Sequence, residues 1–209
     1  MKERAEAKIK FRKHAPLMKK WIWVLFWLII IQTVSDIFEQ DFVANWMPLV
    51  NQISEYLTIV CSFLYAFVLL KLSPVSEGYR IAGVCFLITD VLNIIKLLAE
   101  SSNGLKIVLS LVNIILLLVA LYNEYMAHAF AVHGIDDYLA SDWEALWKWY
   151  IAIEAAVFVS IIIISLRVLP LIIVLTLIIV LLATCGLSVY KMILLYRTAD
   201  LFVNYKPKQ

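Results

Sequence analysis

Long apolar runs interrupted by short polar punctuation dominate the chain. Trp21 to Ile31, Leu57 to Leu70, Ile107 to Leu121, Ile151 to Ser165 and Leu171 to Ala183 are nearly free of charge. A helix needs roughly 20 apolar residues to cross a hydrocarbon core of about 30 Å. Strands of a membrane barrel alternate apolar and polar side chains over about ten residues. The runs here are continuous, so the pattern predicts helices. Six are expected, near residues 20–38, 53–71, 79–99, 104–127, 146–168 and 171–196.

The punctuation fits that division. "SPVSEG" (73–78) separates the second and third helices, and "SSNG" (101–104) makes a tight turn between the third and fourth. Pro170 divides the fifth from the sixth, because proline removes a backbone donor and clashes with the preceding turn. The stretch "EQDFVANWMPLVNQ" (39–52) forms the longest connection opposite the termini. Phe42, Trp46 and Leu49 recur there at helical spacing, which suggests a short interfacial helix ended or bent by Pro48. The fold class expected is an all-α, polytopic membrane helical bundle with six transmembrane helices. Its domains are a cationic leader (1–19), a membrane domain (20–197) and a tail (198–209).

Composition agrees with this class. Hydrophobic residues make up 64% of the chain and mean hydropathy is +0.90, whereas soluble domains are about 45–50% apolar. Charge then orients the bundle. Of 18 Lys and Arg, only Lys96, Lys106 and Arg167 fall on one side, and the other 15 fall on the side of the termini. Cytoplasmic loops carry the excess of Lys and Arg, which places both termini in the cytoplasm. Trp21, Trp23, Trp27, Trp143, Trp147 and Trp149 then lie near the inner interface and Trp46 near the outer. The leader "KERAEAKIKFRKHAPLMKK" (2–20) is expected to attract anionic lipid head groups. The apolar run after it is too long for a signal peptide, so the first span is read as uncleaved. A bacterial plasma membrane is the expected location. The net charge of +2 suggests no nucleic-acid partner.

Candidate chemistry falls in two regions. Ionisable groups within a span cost about 2.5–3.5 kcal/mol on insertion scales, so they tend to face the bundle interior or a cavity. The third helix carries Thr89, Asp90, Asn93, Lys96 and Glu100, and the fourth carries Lys106, Ser110, Asn113, Ala120 and Glu124. Folding the two helices about residues 102–103 brings Glu100 level with Lys106, Lys96 with Ser110, and Asn93 with Asn113. Asp90, Asn93, Lys96 and Asn113 are therefore the candidate binding residues. Asp90, near midspan without a cation at hand, is suited to holding a proton, a cation or a substrate amine. A polar seam that only holds helices together is the competing reading.

The second region is "MAHAFAVHGIDDYLASDWEALWKWY" (126–150). Glu124 and His128 share a helix face, and Gly134 is expected to end that helix. His133 lies about 140° around from His128, so one helix cannot chelate an ion with both. His128, His133 and Asp136 are weak metal candidates that meet only if the chain turns back at Gly134. "SDWE" (141–144) reads as a capping box, which assigns Asp142 and Glu144 to a helix start. Ala152, Ala156 and Ser160 form a small-residue stripe on the fifth helix, level with Ala183 and Gly186 on the sixth, and are expected to pack closely. Cys61, Cys85 and Cys185 sit in apolar runs without metal or redox spacing. No cofactor is expected.

The resulting expectation is a non-enzymatic multi-pass membrane protein in a transport-related or accessory role. Two alternatives stand beside it: a membrane enzyme with a cytoplasmic His/Asp site, and a purely structural subunit. Expected partners are the lipid bilayer and either a membrane-protein partner or a second copy of the chain.

Overall fold

A computed structural model describes residues 2–39, 45–98, 103–165 and 170–204. The described residues are helical apart from the turns that join them. Six long helices follow one another: α1 (Lys2–Phe38), α2 (Pro48–Lys71), α3 (Glu77–Leu98), α4 (Asn103–Val132), α5 (Asp137–Ser165) and α6 (Pro170–Asn204). Among the described residues, five segments are long and apolar enough to cross a membrane: Lys13–Phe38, Pro48–Leu72, Glu77–Lys96, Gly104–Val132 and Val174–Asn204. The apolar part of α5 is not among them.

Each helix packs on its sequence neighbours, and α6 closes the ring against α1. Consecutive helices run antiparallel. Asn51 at the start of α2 donates to the Phe38 carbonyl at the end of α1. Arg197 near the end of α6 meets Asp142 near the start of α5. Trp23 of α1 meets Tyr196 of α6 edge-on, with ring centroids 5.7 Å apart.

Several element ends differ from the sequence expectation. The basic leader is helical and continuous with the first apolar run, although Pro16 lies inside it. Pro48 follows a break at Met47 that ends the helical residues Asn45 and Trp46. It starts α2 at a position whose N–H would have no helical partner. The expected interfacial helix falls largely on residues 40–44, outside those described. α6 runs past residue 196 to Asn204, with Ala199 and Phe202 buried against the bundle.

The α4–α5 turn shows the clearest correction. Gly134 ends α4 with φ 80°, a conformation that favours glycine. Asp136, not Ser141, then caps α5: its Oδ1 accepts from the Leu139 N–H at 2.9 Å. The "SDWE" segment lies one turn inside the helix, so its capping box does not form.

Burial is uneven. The fully buried side chains, among them Met18, Ile22, Leu25, Leu69, Leu72, Tyr79, Trp143, Leu146, Leu194 and Leu195, all lie in the half of the bundle that holds the two termini. The opposite half exposes Ile53, Leu57, Ile107, Leu111, Ile115, Val174, Ile178 and Leu182. Water would penalise so much exposed apolar surface, whereas lipid tails accept it.

Gly78 fixes the approach of α3 to α4. A Cβ placed there would lie 2.7 Å from the Asn123 carbonyl oxygen and 3.1 Å from the Ala127 Cβ. Overpacking of this kind costs about 1–3 kcal/mol. Gly78→Ala is therefore expected to lower the unfolding midpoint in detergent. Gly104→Ala, where a new Cβ meets nothing within 4 Å, is expected to leave it unchanged or raise it. Equal midpoints for the two variants would contradict the packing described.

Candidate functional site

Two polar clusters occupy the bundle, one in each half. The first surrounds Glu124, which is fully buried on α4. Tyr65 of α2 donates its hydroxyl to Glu124 Oε1. Lys191 of α6 places its Nζ 2.9 Å from the same oxygen. The Lys191 ammonium also lies over the Tyr65 and Tyr125 rings, 5.3 and 5.2 Å from their centroids. A buried carboxylate is tolerable only when paired and hydrogen-bonded, and this one is both.

His128 extends the cluster one turn along α4. Its Nδ1 lies 2.8 Å from the Tyr79 hydroxyl of α3. Its ring stacks on Trp143 of α5 at a centroid distance of 4.3 Å and an angle of 19°. The Trp143 indole N–H in turn donates to Thr198 Oγ1 of α6 at 3.0 Å. His128 Nε2 stands 3.8 Å from Glu124 Oε1, too far for a hydrogen bond. Five of the six helices thus meet in one connected group. Chemically it is a junction: one acid, one ammonium, one imidazole and aromatic side chains, mutually satisfied except at Glu124 Oε2 and His128 Nε2.

The second cluster surrounds Asp90 in the opposite half. A cavity of about 330 Å³ lies between α1, α2 and α3. Gln32, Thr58, Ile59, Ser62, Phe63, Asp90, Asn93 and Ile94 line it. Asp90 is 9% exposed. Its Oδ1 accepts from the Ser62 hydroxyl at 2.6 Å. Its Oδ2 is buried and has no hydrogen-bond partner, as does Thr58 Oγ1. None of these eight described lining residues is a cation.

The α3–α4 seam takes the expected register where it is described. Asn113 donates to Asn93 Oδ1 at 2.8 Å, and Lys96 donates to Ser110 at 2.9 Å. Glu100 lies outside the described residues, so its pairing with Lys106 does too. Asp90 and Asn93 share the cavity, and Asn113 is tied to it through Asn93. Lys96 is occupied by Ser110 and does not line the cavity.

The structure does not bring His128, His133 and Asp136 together. His128 is buried, His133 is exposed and sits 3.3 Å from Asp137, and Asp136 caps α5. Among the described residues, no three His, Cys, Asp or Glu side chains are grouped to hold a metal. The small-residue stripe also differs from expectation. Ala152 and Ala156 are exposed, a Cβ on Gly186 would meet nothing within 4 Å, and an open groove of about 380 Å³ separates α5 from α6 there.

No family model, curated protein or solved structure matches this chain.

Lys191 lies 67 positions from Glu124, so no local spacing announces the pair. Only their opposite charges, each a few turns inside the same end of an apolar helix, hint at it. Breaking a buried ion pair costs about 3–5 kcal/mol, because the remaining charge is left uncompensated. Lys191→Met is expected to lose stability of that order in chemical unfolding. The double variant E124Q/K191M is expected to lose less than K191M alone. A greater loss in the double variant would contradict the junction.

Proposed function

We propose that the chain is a six-span plasma-membrane protein with both termini in the cytoplasm, and that it binds a small solute within the membrane in a transport-related role. Five apolar helices and the asymmetry of Lys and Arg support the topology. In this frame α5 supplies the remaining span, fifth in chain order, and the half with the dense core is the cytoplasmic half. The basic leader then extends α1 into the zone of anionic head groups.

One observation carries the solute reading. Asp90 lies in the wall of a cavity with Oδ2 unpartnered. Insertion of such a residue costs about 2.5–3.5 kcal/mol at a helix centre. A pure packing role favours a hydrogen-bonded amide or hydroxyl at lower cost, as Asn93 and Asn113 provide next door. A membrane-embedded enzyme is less favoured, because the His/Asp region supplies no assembled site among the described residues.

A purely structural subunit is the second reading. The groove between α5 and α6, lined by Trp149, Ile153, Ala183, Gly186, Leu187 and Tyr190, is the observation in its favour. That groove is apolar and accepts a lipid tail as readily as a helix.

Thiol labelling separates the readings. Cys61, Cys85 and Cys185 are first replaced, and single cysteines are placed at Thr58, Asn93, Lys13 and Ile178. A membrane-impermeant reagent is expected to label T58C and N93C from the outer face and K13C from the inner face. I178C, exposed on the apolar surface, is expected to stay unlabelled. Unlabelled T58C and N93C would contradict a solute cavity, and outer-face labelling of K13C would contradict the topology.

A further inference from the structure

The lining of the Asp90 cavity specifies a chemical class. Of its eight residues, Ile59, Phe63 and Ile94 are apolar, and Gln32, Thr58, Ser62 and Asn93 are neutral and polar. Among the described lining residues, Asp90 supplies the only charge. A lone carboxylate in such surroundings calls for a cation. Its four polar neighbours, Gln32 on α1, Thr58 and Ser62 on α2 and Asn93 on α3, bring none.

The acceptors are arranged for a donor with more than one N–H. The Ser62 hydroxyl already occupies Asp90 Oδ1, so Oδ2 is the vacant acceptor. Thr58, four residues before Ser62 and so on the same face of α2, adds a second buried oxygen without a partner. An ammonium carries three donors and no acceptor, which matches this set. A divalent metal ion asks for several hard oxygen ligands, usually more than one of them charged. Among the described lining residues Asp90 is the single carboxylate. The apolar wall has no use for a bare ion, but it covers a short hydrocarbon body. The Phe63 ring adds a face of the kind that attracts cations. Size agrees: about 330 Å³ lies at the small end of the ~300–1,000 Å³ range of ligand pockets.

We propose that this cavity binds a small organic ammonium, with its charged nitrogen at Asp90 Oδ2 and Thr58 Oγ1 and its hydrocarbon part against Ile59, Phe63 and Ile94. The inference rests on the reading of the cavity as a solute site, and it adds the charge and shape of the solute.

Calorimetric titration of the purified full-length protein in phosphatidylcholine nanodiscs tests it. The probes are n-butylammonium, its neutral counterpart 1-butanol, and potassium ion. Butylammonium is expected to bind saturably and to raise the thermal unfolding midpoint. The other two are expected to do neither. Asp90→Asn is expected to weaken butylammonium binding at least tenfold. Thr58→Val, which leaves the charge in place, is expected to weaken it several-fold and serves if Asp90→Asn fails to fold. Equal binding of 1-butanol, with no effect of Asp90→Asn, would overturn the ammonium assignment while leaving a solute cavity standing. Potassium competing as an equal would overturn it in favour of an inorganic cation. Binding of none of the three, together with unlabelled T58C and N93C, would remove both this inference and the solute reading beneath it.

Discussion

The buried carboxylate of Glu124 sets the terms for the rest of the bundle. No water reaches it, so every favourable contact must come from another helix. Tyr65 and Lys191 provide those contacts from α2 and α6. His128, one turn on, ties in α3 through Tyr79 and α5 through Trp143. The result is directional. Apolar packing alone tolerates helices that slide or rotate in lipid, where the hydrophobic effect no longer drives helices together. A group that needs one tyrosine, one lysine and one stacked imidazole tolerates far fewer arrangements.

This junction explains why burial is lopsided. The dense core fills the half of the bundle around Glu124, and Gly78 lets α3 approach α4 closely beside it. The other half is held by weaker links, the Asn93–Asn113 and Lys96–Ser110 hydrogen bonds among them. Space opens there between α1, α2 and α3. Helix α2 serves both halves. Tyr65 donates to Glu124, and Ser62, less than one turn away, donates to Asp90. The densely packed half thereby positions the helix that shapes the cavity wall.

Much of this architecture was legible in the sequence, and the reasons are local. Continuous apolar runs fixed the number and approximate place of the helices, because lipid permits little else. The four-residue turn at 101–104 was short enough to predict the Asn93–Asn113 and Lys96–Ser110 register. Helical phase separated His128 from His133 correctly. What failed or escaped depended on other elements. Asp136 competes with Ser141 to cap α5, and the turn geometry after Gly134 decides in its favour. The small residues of α5 and α6 resemble a close seam, yet nothing fills the space beside Gly186. Glu124 stood out as one member of a polar stripe on α4. Its partners lie on α2 and α6, and no periodicity within α4 points to them.

The cavity between α1, α2 and α3 is open, charged at one point and held in shape by the Glu124 junction. A high-resolution map of the protein in lipid nanodiscs with butylammonium is the most direct measurement of that claim. It is predicted to place ligand density within hydrogen-bond distance of Asp90 Oδ2, with Glu124, Lys191, Tyr65 and His128 still joined as described. A map in which the space between α1, α2 and α3 is closed or filled by an acyl chain, with Asp90 Oδ2 paired to a side chain of the protein, would contradict it.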